Sequence, residues 1–187
     1  MSYSRKQSDV QAARDAKNRE AVRVSMPVKV LAFHPTRMTV DVQPLVKEKI
    51  DGKFISAAPI MGLRVACLCF GDFIIRPWYN RGDVGEVIVG DHDADLALRA
   101  GDEAEPNTAR NHAPEDGFFI GGVCAEGKVP AGLPDNALVL AAGGTHIAVK
   151  PDGVTIKGDV TVTGKLSASG IEMTTHNHPG GIMSGPV

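Results

Sequence analysis

The sequence predicts an all-β protein in two parts: a small closed barrel, then a thin rod of very short strands that three chains build together. Three observations predict it. Gly 21 and Pro 12, against only 5% aromatics, favour many turns and short strands over long helices. Between residues 24 and 100, apolar and alternating stretches recur about every ten residues between turn signals. From Gly153 onward, three-residue strands alternate with three-residue turns in a six-residue repeat.

Composition bounds the function. The 187 residues suffice for one medium domain or two small ones. Lys+Arg is 20 and Asp+Glu 22, a net charge of -2, so the dense cationic surface that grips nucleic-acid phosphates is not expected. No apolar run approaches the roughly 20 residues of a membrane span. The first residues, MSYSRKQSDVQAARDAK, lack the apolar core of an export signal. Cys67, Cys69 and Cys124 are odd in number and CxC in spacing. That pattern is neither a disulfide framework nor the CxxC pair of a zinc site, and it fits synthesis in a reducing cytosol.

Residues 1–23 are polar and basic, and DVQAARDAKNREAV after Ser8 favours a short helix capped by that serine. Its apolar stripe is weak; the bland reading is a frayed tail, and the expectation is a helix held against a partner. Residues 24–100 form the expected barrel domain. VRVSMPVKVLAFH reads as a strand. MTVDVQPLV alternates, with Met38, Val40 and Val42 on one face. KEKIDGKF carries a hairpin turn at Asp51-Gly52, RVACLCF reads as a buried strand, Gly82-Asp83 as a turn and VGEVIVGD as another strand. Five such strands suggest a Greek-key barrel of the OB kind. Residues 101–134 lack periodicity and read as a connector on the outside of the barrel, with one short apolar strand in FFIGGVCAEG.

Residues 135–173 carry the repeat: Val154, Val160 and Leu166 recur every six residues, as do Ile156, Val162 and Ala168. A three-residue strand with one apolar side is not stable alone. A single-chain β-helix needs more residues per rung than this segment holds. Three chains around one axis, each giving one side per layer, close the apolar core and remove the sheet edges as an intertwined trimeric β-helix, or β-prism. The alternative is a single-chain sheet attached to the barrel.

Residues 174–187 hold the chemistry candidate, His176-Asn177-His178. In extended chain, residues two apart point the same way, so both imidazoles face one side. Three chains supply six nitrogens, a full octahedral shell that suits Fe(II), Ni(II) or Co(II) better than tetrahedral zinc. A saturated shell leaves no open position, so such a site is structural. The bland reading is two exposed histidines near a chain end. No catalytic constellation is visible, and the chain is read as not an enzyme. Asp91, His92, Asp93 and Asp95 read as a strand-end turn, and Cys67 and Cys69 as barrel core. His112, near Glu115 and Asp116, reads as a structural hydrogen bond. Trp78 and Tyr79 read as barrel-edge packing or protein contact ahead of base stacking.

The stretches VKVLAFHPTRMT, VDVQPLVKE, PWYNRGDVGEVIV, RNHAPEDGFFIGGV and the ending THNHPGG together resemble the central spike, or membrane-puncturing protein, of contractile phage tail baseplates and related injection machines. The resemblance covers residues 24–187. It implies an OB-fold, a trimeric β-helix and an apex where His176 and His178 of three chains bind one Fe ion per trimer. It further implies a homotrimer at the baseplate tip of a virion, assembled in the host cytoplasm. Its partners would be hub and tail-tube proteins and, transiently, the target outer membrane, with no specific nucleic acid. Alternatives are the spike of a phage-derived bacteriocin or injection system, and an OB-fold nucleic-acid binder.

Overall fold

The computed structural model describes residues 11–12, 22–125, 127 and 130–173. The chain divides into two compact units, residues 1–129 and 130–187. Of the expected N-terminal helix, Gln11 and Ala12 are helical, and its other residues up to Ala21 lie outside the described ones.

In the first unit the strands are β1 (Ser25–His34), β2 (Thr39–Pro44), β3 (Glu48–Ile50), β4 (Lys53–Ile55), β5 (Ile60–Val65), β6 (Leu68–Phe70), β7 (Phe73–Ile75), β8 (Val84–Ile88) and β9 (Phe118–Gly121). One helical turn and a half, α1 (Asp95–Ala100), and a 3-10 turn (Pro114–Asp116) lie between β8 and β9. Five strands close a barrel in the order β1-β2-β5-β9-β8, with β8 pairing back onto β1. All pairs are antiparallel except β5 with β9.

Period-two alternation supplies the core. Val28 and Val30 on β1, Val40 and Val42 on β2, Leu63 and Val65 on β5, and Val87 on β8 point inward and are buried with Ile60, Val89 and Phe119. The barrel is therefore filled by branched aliphatics around one aromatic ring. Phe119 takes its place because β8 offers it a bare backbone: a Cβ on Gly85 would collide with the Phe119 ring. Tyr79 then packs edge-on against Phe33 and Phe119, at ring-centroid distances of 5.5 and 5.1 Å.

The closing strand differs from the sequence expectation. Residues 118–121 were expected in a connector outside the barrel, yet they form β9, which bridges β5 and β8. The short apolar strand expected in FFIGGVCAEG is there, but only its pairing with β5 on one side and β8 on the other places it in the barrel wall. Truncating Phe119 to alanine is expected to destabilise the barrel by about 3–5 kcal/mol, the usual range for a large buried aromatic. Urea unfolding followed by Trp78 fluorescence measures it, and a change below about 1 kcal/mol would show that the ring is not central to the core.

Two hairpins stand outside the barrel. Strands β3 and β4 meet at the expected turn, with Asp51 and Gly52 both at positive φ, 49° and 78°. Strands β6 and β7 pair with each other and with no barrel strand. Here RVACLCF departs from its reading as one buried strand. The barrel strand ends at Val65, the Ala66 amide donates to the Phe119 carbonyl at 2.9 Å, and Leu68, Cys69 and Phe70 are exposed. Cys67 is half-buried. An apolar run signals burial but not by what.

In the second unit, β10 (Leu138–Ala142), β11 (Thr145–Lys150) and β12 (Gly153–Lys157) make an antiparallel meander. β13 (Ser167–Ala168) and β14 (Ile171–Glu172) make a minimal hairpin. The expected strand 154–156 lies within β12, whereas Val160 and Val162 lie in no strand. Among the described residues no strand lies beside residues 160–162, and so short a segment cannot hold itself as a strand.

Candidate functional site

The meander of the second unit presents one predominantly apolar face, with Thr145 opposite Ala142 at its end. Side chains opposite one another across antiparallel strands share a side. Leu138, Val149 and Val154 therefore form one cross-strand row, and Leu140, Ile147 and Ile156 the next. These six side chains are between 40% and 72% exposed. Further along the chain Val160, Val162 and Leu166 are exposed as well. The reverse face is mixed: Val139, Ala148 and Thr155 in one row, Ala141, His146 and Lys157 in the other. Ala148 alone among the described residues of this unit is fully buried. Monomeric proteins seldom leave a contiguous apolar patch of this kind in water.

The barrel unit holds polar clusters that tie its segments together. Asp41, nearly buried, accepts a hydrogen bond from the Gly62 amide at 2.8 Å and pairs with His34 Nε2 at 3.1 Å. It lies where the β2–β5 register slips between Val40 and Val42, so its carboxylate satisfies an amide that the ladder leaves open. Burial alone would raise the Asp41 carboxyl. The hydrogen bonds from His34 and Gly62, with the charges of His34 and Arg37 behind them, hold it below its usual value.

The sign of the pH dependence follows. A depressed folded-state pKa contributes stability that is present above the unfolded value near 3.8 and is lost as pH falls through the folded one. Replacing Asp41 with alanine leaves the Gly62 amide unpaired and is expected to cost about 1–3 kcal/mol at neutral pH. Comparing urea midpoints of wild type and D41A from about pH 6 down to pH 2 checks this: the gap should close in acid, and a gap independent of pH would refute the linkage.

The second cluster sits between β8 and β9. Asp93, buried, accepts from the Asp95 amide at 3.1 Å, the Thr108 hydroxyl at 2.8 Å and Arg110 Nη2 at 3.5 Å. Arg110 also grips Asp116 through Nε at 3.2 Å and Nη2 at 2.7 Å. The Asp95 amide and the Thr108 hydroxyl hold the Asp93 carboxyl below its ordinary value, against a smaller opposing effect of burial and with Arg110 adding to them. His92 Nδ1 lies 2.7 Å from Asn111 Oδ1. The stretch read as a solvated turn is therefore an anchor that fastens residues 108–116 before β9 enters the barrel. Sequence reasoning singled out Asp93 but missed Thr108 and Arg110. Their separation of 15 and 17 positions from Asp93 leaves no local signal.

Other residues singled out by sequence fall as follows. His112 lies with Nδ1 3.8 Å from Asp91 Oδ1, and its amide donates to the Asp91 carbonyl; its partner is Asp91, not Glu115 or Asp116. Trp78 is exposed and meets Phe33 edge-on at 5.7 Å, while Tyr79 packs on the barrel core. Cys69 is exposed on the reverse side of the β6–β7 hairpin, not in the core. His146 stands opposite Ala141 and Lys157 on the reverse face of the meander. His176 and His178 lie outside the described residues. Among the described residues no group of three or more His, Cys, Asp or Glu is arranged to hold a metal, and no helix is long and apolar enough to cross a membrane.

The family model described as phage protein Gp138 N-terminal domain matches residues 26–122, just over half of the 187. The chain belongs to this family. Its match begins one residue into β1 and ends one residue past β9, so the Gp138 N-terminal domain is the closed barrel with both hairpins and the Asp93 anchor. Membership supports a structural role in a phage and a place in the virion. The second unit, with its apolar face, lies beyond the Gp138 match. No curated protein matches the chain.

Proposed function

We propose that this protein is the central spike of a contractile phage tail, a homotrimer that punctures the host outer membrane when the sheath contracts. One observation carries the reading: a barrel of a phage structural family is followed by a unit whose sheet exposes six large apolar side chains on a single face. Among the described residues of this unit nothing covers that face, and three chains winding about one axis would bury it. Val160, Val162 and Leu166, exposed in one chain, then find strands on the neighbouring chains. Continuous backbone pairing among three chains gives the stiffness that a puncturing rod needs.

His176 and His178 of the three chains are the ligands proposed for one metal ion, iron by preference, and their donor chemistry suits it: neutral imidazoles are borderline donors that accept divalent iron, nickel or cobalt. When bound, the ion cross-links three C-terminal ends that would otherwise fray. The role is mechanical, with no catalytic step. The barrels form the broad base that meets the hub and the tail tube. The reading is tested on tail particles with an antibody raised against this chain. Electron microscopy is expected to find the label at the distal end of the tail, and particles lacking the chain are expected to adsorb and contract without permeabilising the outer membrane. Label confined to the capsid, collar or sheath would end the proposal.

A further inference from the structure

The β6–β7 hairpin has the composition of a core and none of its burial. Leu68 stands opposite Ile75 and Phe70 opposite Phe73, so the four share one side of the ribbon. They are 57% to 77% exposed. Neither strand contains a charged residue, and the nearest charges are Asp72 at the tip and Arg76 past the end. A two-stranded ribbon is marginal in water by itself, and this one exposes its apolar side.

We infer that this side of the hairpin packs against the barrel unit of a second copy of the chain, making a contact between subunits separate from the apolar face of the C-terminal unit. The inference rests on the trimeric reading above. Three arguments select this occupant. The first is composition: the absence of charge and the Leu/Phe/Ile content match the centre of a contact between identical subunits, where charged residues are depleted. The second is area. Four such side chains offer on the order of 400–500 Å², about half the ~800 Å² per partner of an independently stable interface. The surface is therefore too small to hold free partners together but adequate for partners already held close. The third is the tether. Residues 122–137 join β9 to β10, and even fully extended they reach no more than roughly 55 Å. Once the C-terminal units associate, the three barrels are confined at an effective concentration in the millimolar range, where a weak apolar contact is occupied.

The test uses the full-length purified protein, its mass measured by light scattering and its amide exchange by mass spectrometry. In the trimer, amides of residues 68–75 are expected to exchange at least tenfold more slowly than in the variant carrying Phe70→Asp and Phe73→Asp. The mass, and exchange in β1, β2 and β10–β12, should be the same in both. Should the double variant lose the barrel, the single change Phe73→Ser takes its place. A wild-type trimer whose hairpin exchanges like unstructured peptide overturns this contact and leaves the trimer standing; the face would then be open to another tail protein or to lipid. A wild-type protein that stays monomeric overturns both.

Discussion

Placing aspartate at Ile147 and Ile156 is expected to convert a trimer of about three times 19.7 kDa into monomers of 19.7 kDa. The two residues are directly opposite each other in one row of the apolar face, beside Leu140. Burying a Leu, Ile or Val side chain is worth roughly 1.5–3 kcal/mol. Six of them per chain give a driving force of about 10 kcal/mol per chain, enough to exceed the cost of association. Two carboxylates per chain in the same place leave six uncompensated charges around the shared axis, and burying unpaired charge costs more than the lost contacts. The barrel has its own core, so it stays folded in the variant. Light scattering gives the mass, and urea unfolding reported by Trp78 gives the state of the barrel. A variant that remains trimeric would show that this face is not what joins the chains.

Wild-type trimer expressed with iron available is expected to carry one metal ion per three chains, and the double variant His176→Ala, His178→Ala none. The argument is one of parity and symmetry. Residues i and i+2 of an extended strand face the same way, and three chains turn two ligands into six. Imidazole must be neutral to bind, so metal is expected to leave as pH falls below about 6, under the ordinary histidine value. Loss of the ion should loosen the chain ends while β10–β12 and the barrel keep their protection, because the barrel has its own aliphatic core and β10–β12 pair among themselves. Elemental analysis across pH, with amide exchange on both proteins, decides it. A metal-free wild-type trimer with protected C-terminal amides, or one ion per chain, would contradict the shared site.

The chain shows where local pattern suffices and where it does not. The alternation of Val28, Val30, Val40 and Val42 declares two barrel strands, because a period of two with one apolar side has no other stable use. Asp51-Gly52 declares its hairpin, because both positions need positive φ. The repeat from Val154 to Ala168 shows that apolar side chains would stand on one side of something too thin to bury them. Each of these rests on neighbours in sequence. The strand Phe118–Gly121 rests on β5 and β8, more than 25 positions upstream, and on the bare backbone of Gly85 that admits the Phe119 ring. The anchor of Asp93 by Thr108 and Arg110, and the capture of the Gly62 amide by Asp41, likewise join residues 15 to 21 positions apart. Apolar runs were ambiguous in the same way. LCF and FFIG look alike as text, yet the first becomes part of an exposed ribbon and the second the last stave of the barrel. Hydrophobicity states that a side chain must leave water; which surface receives it is decided only when the chain closes on itself.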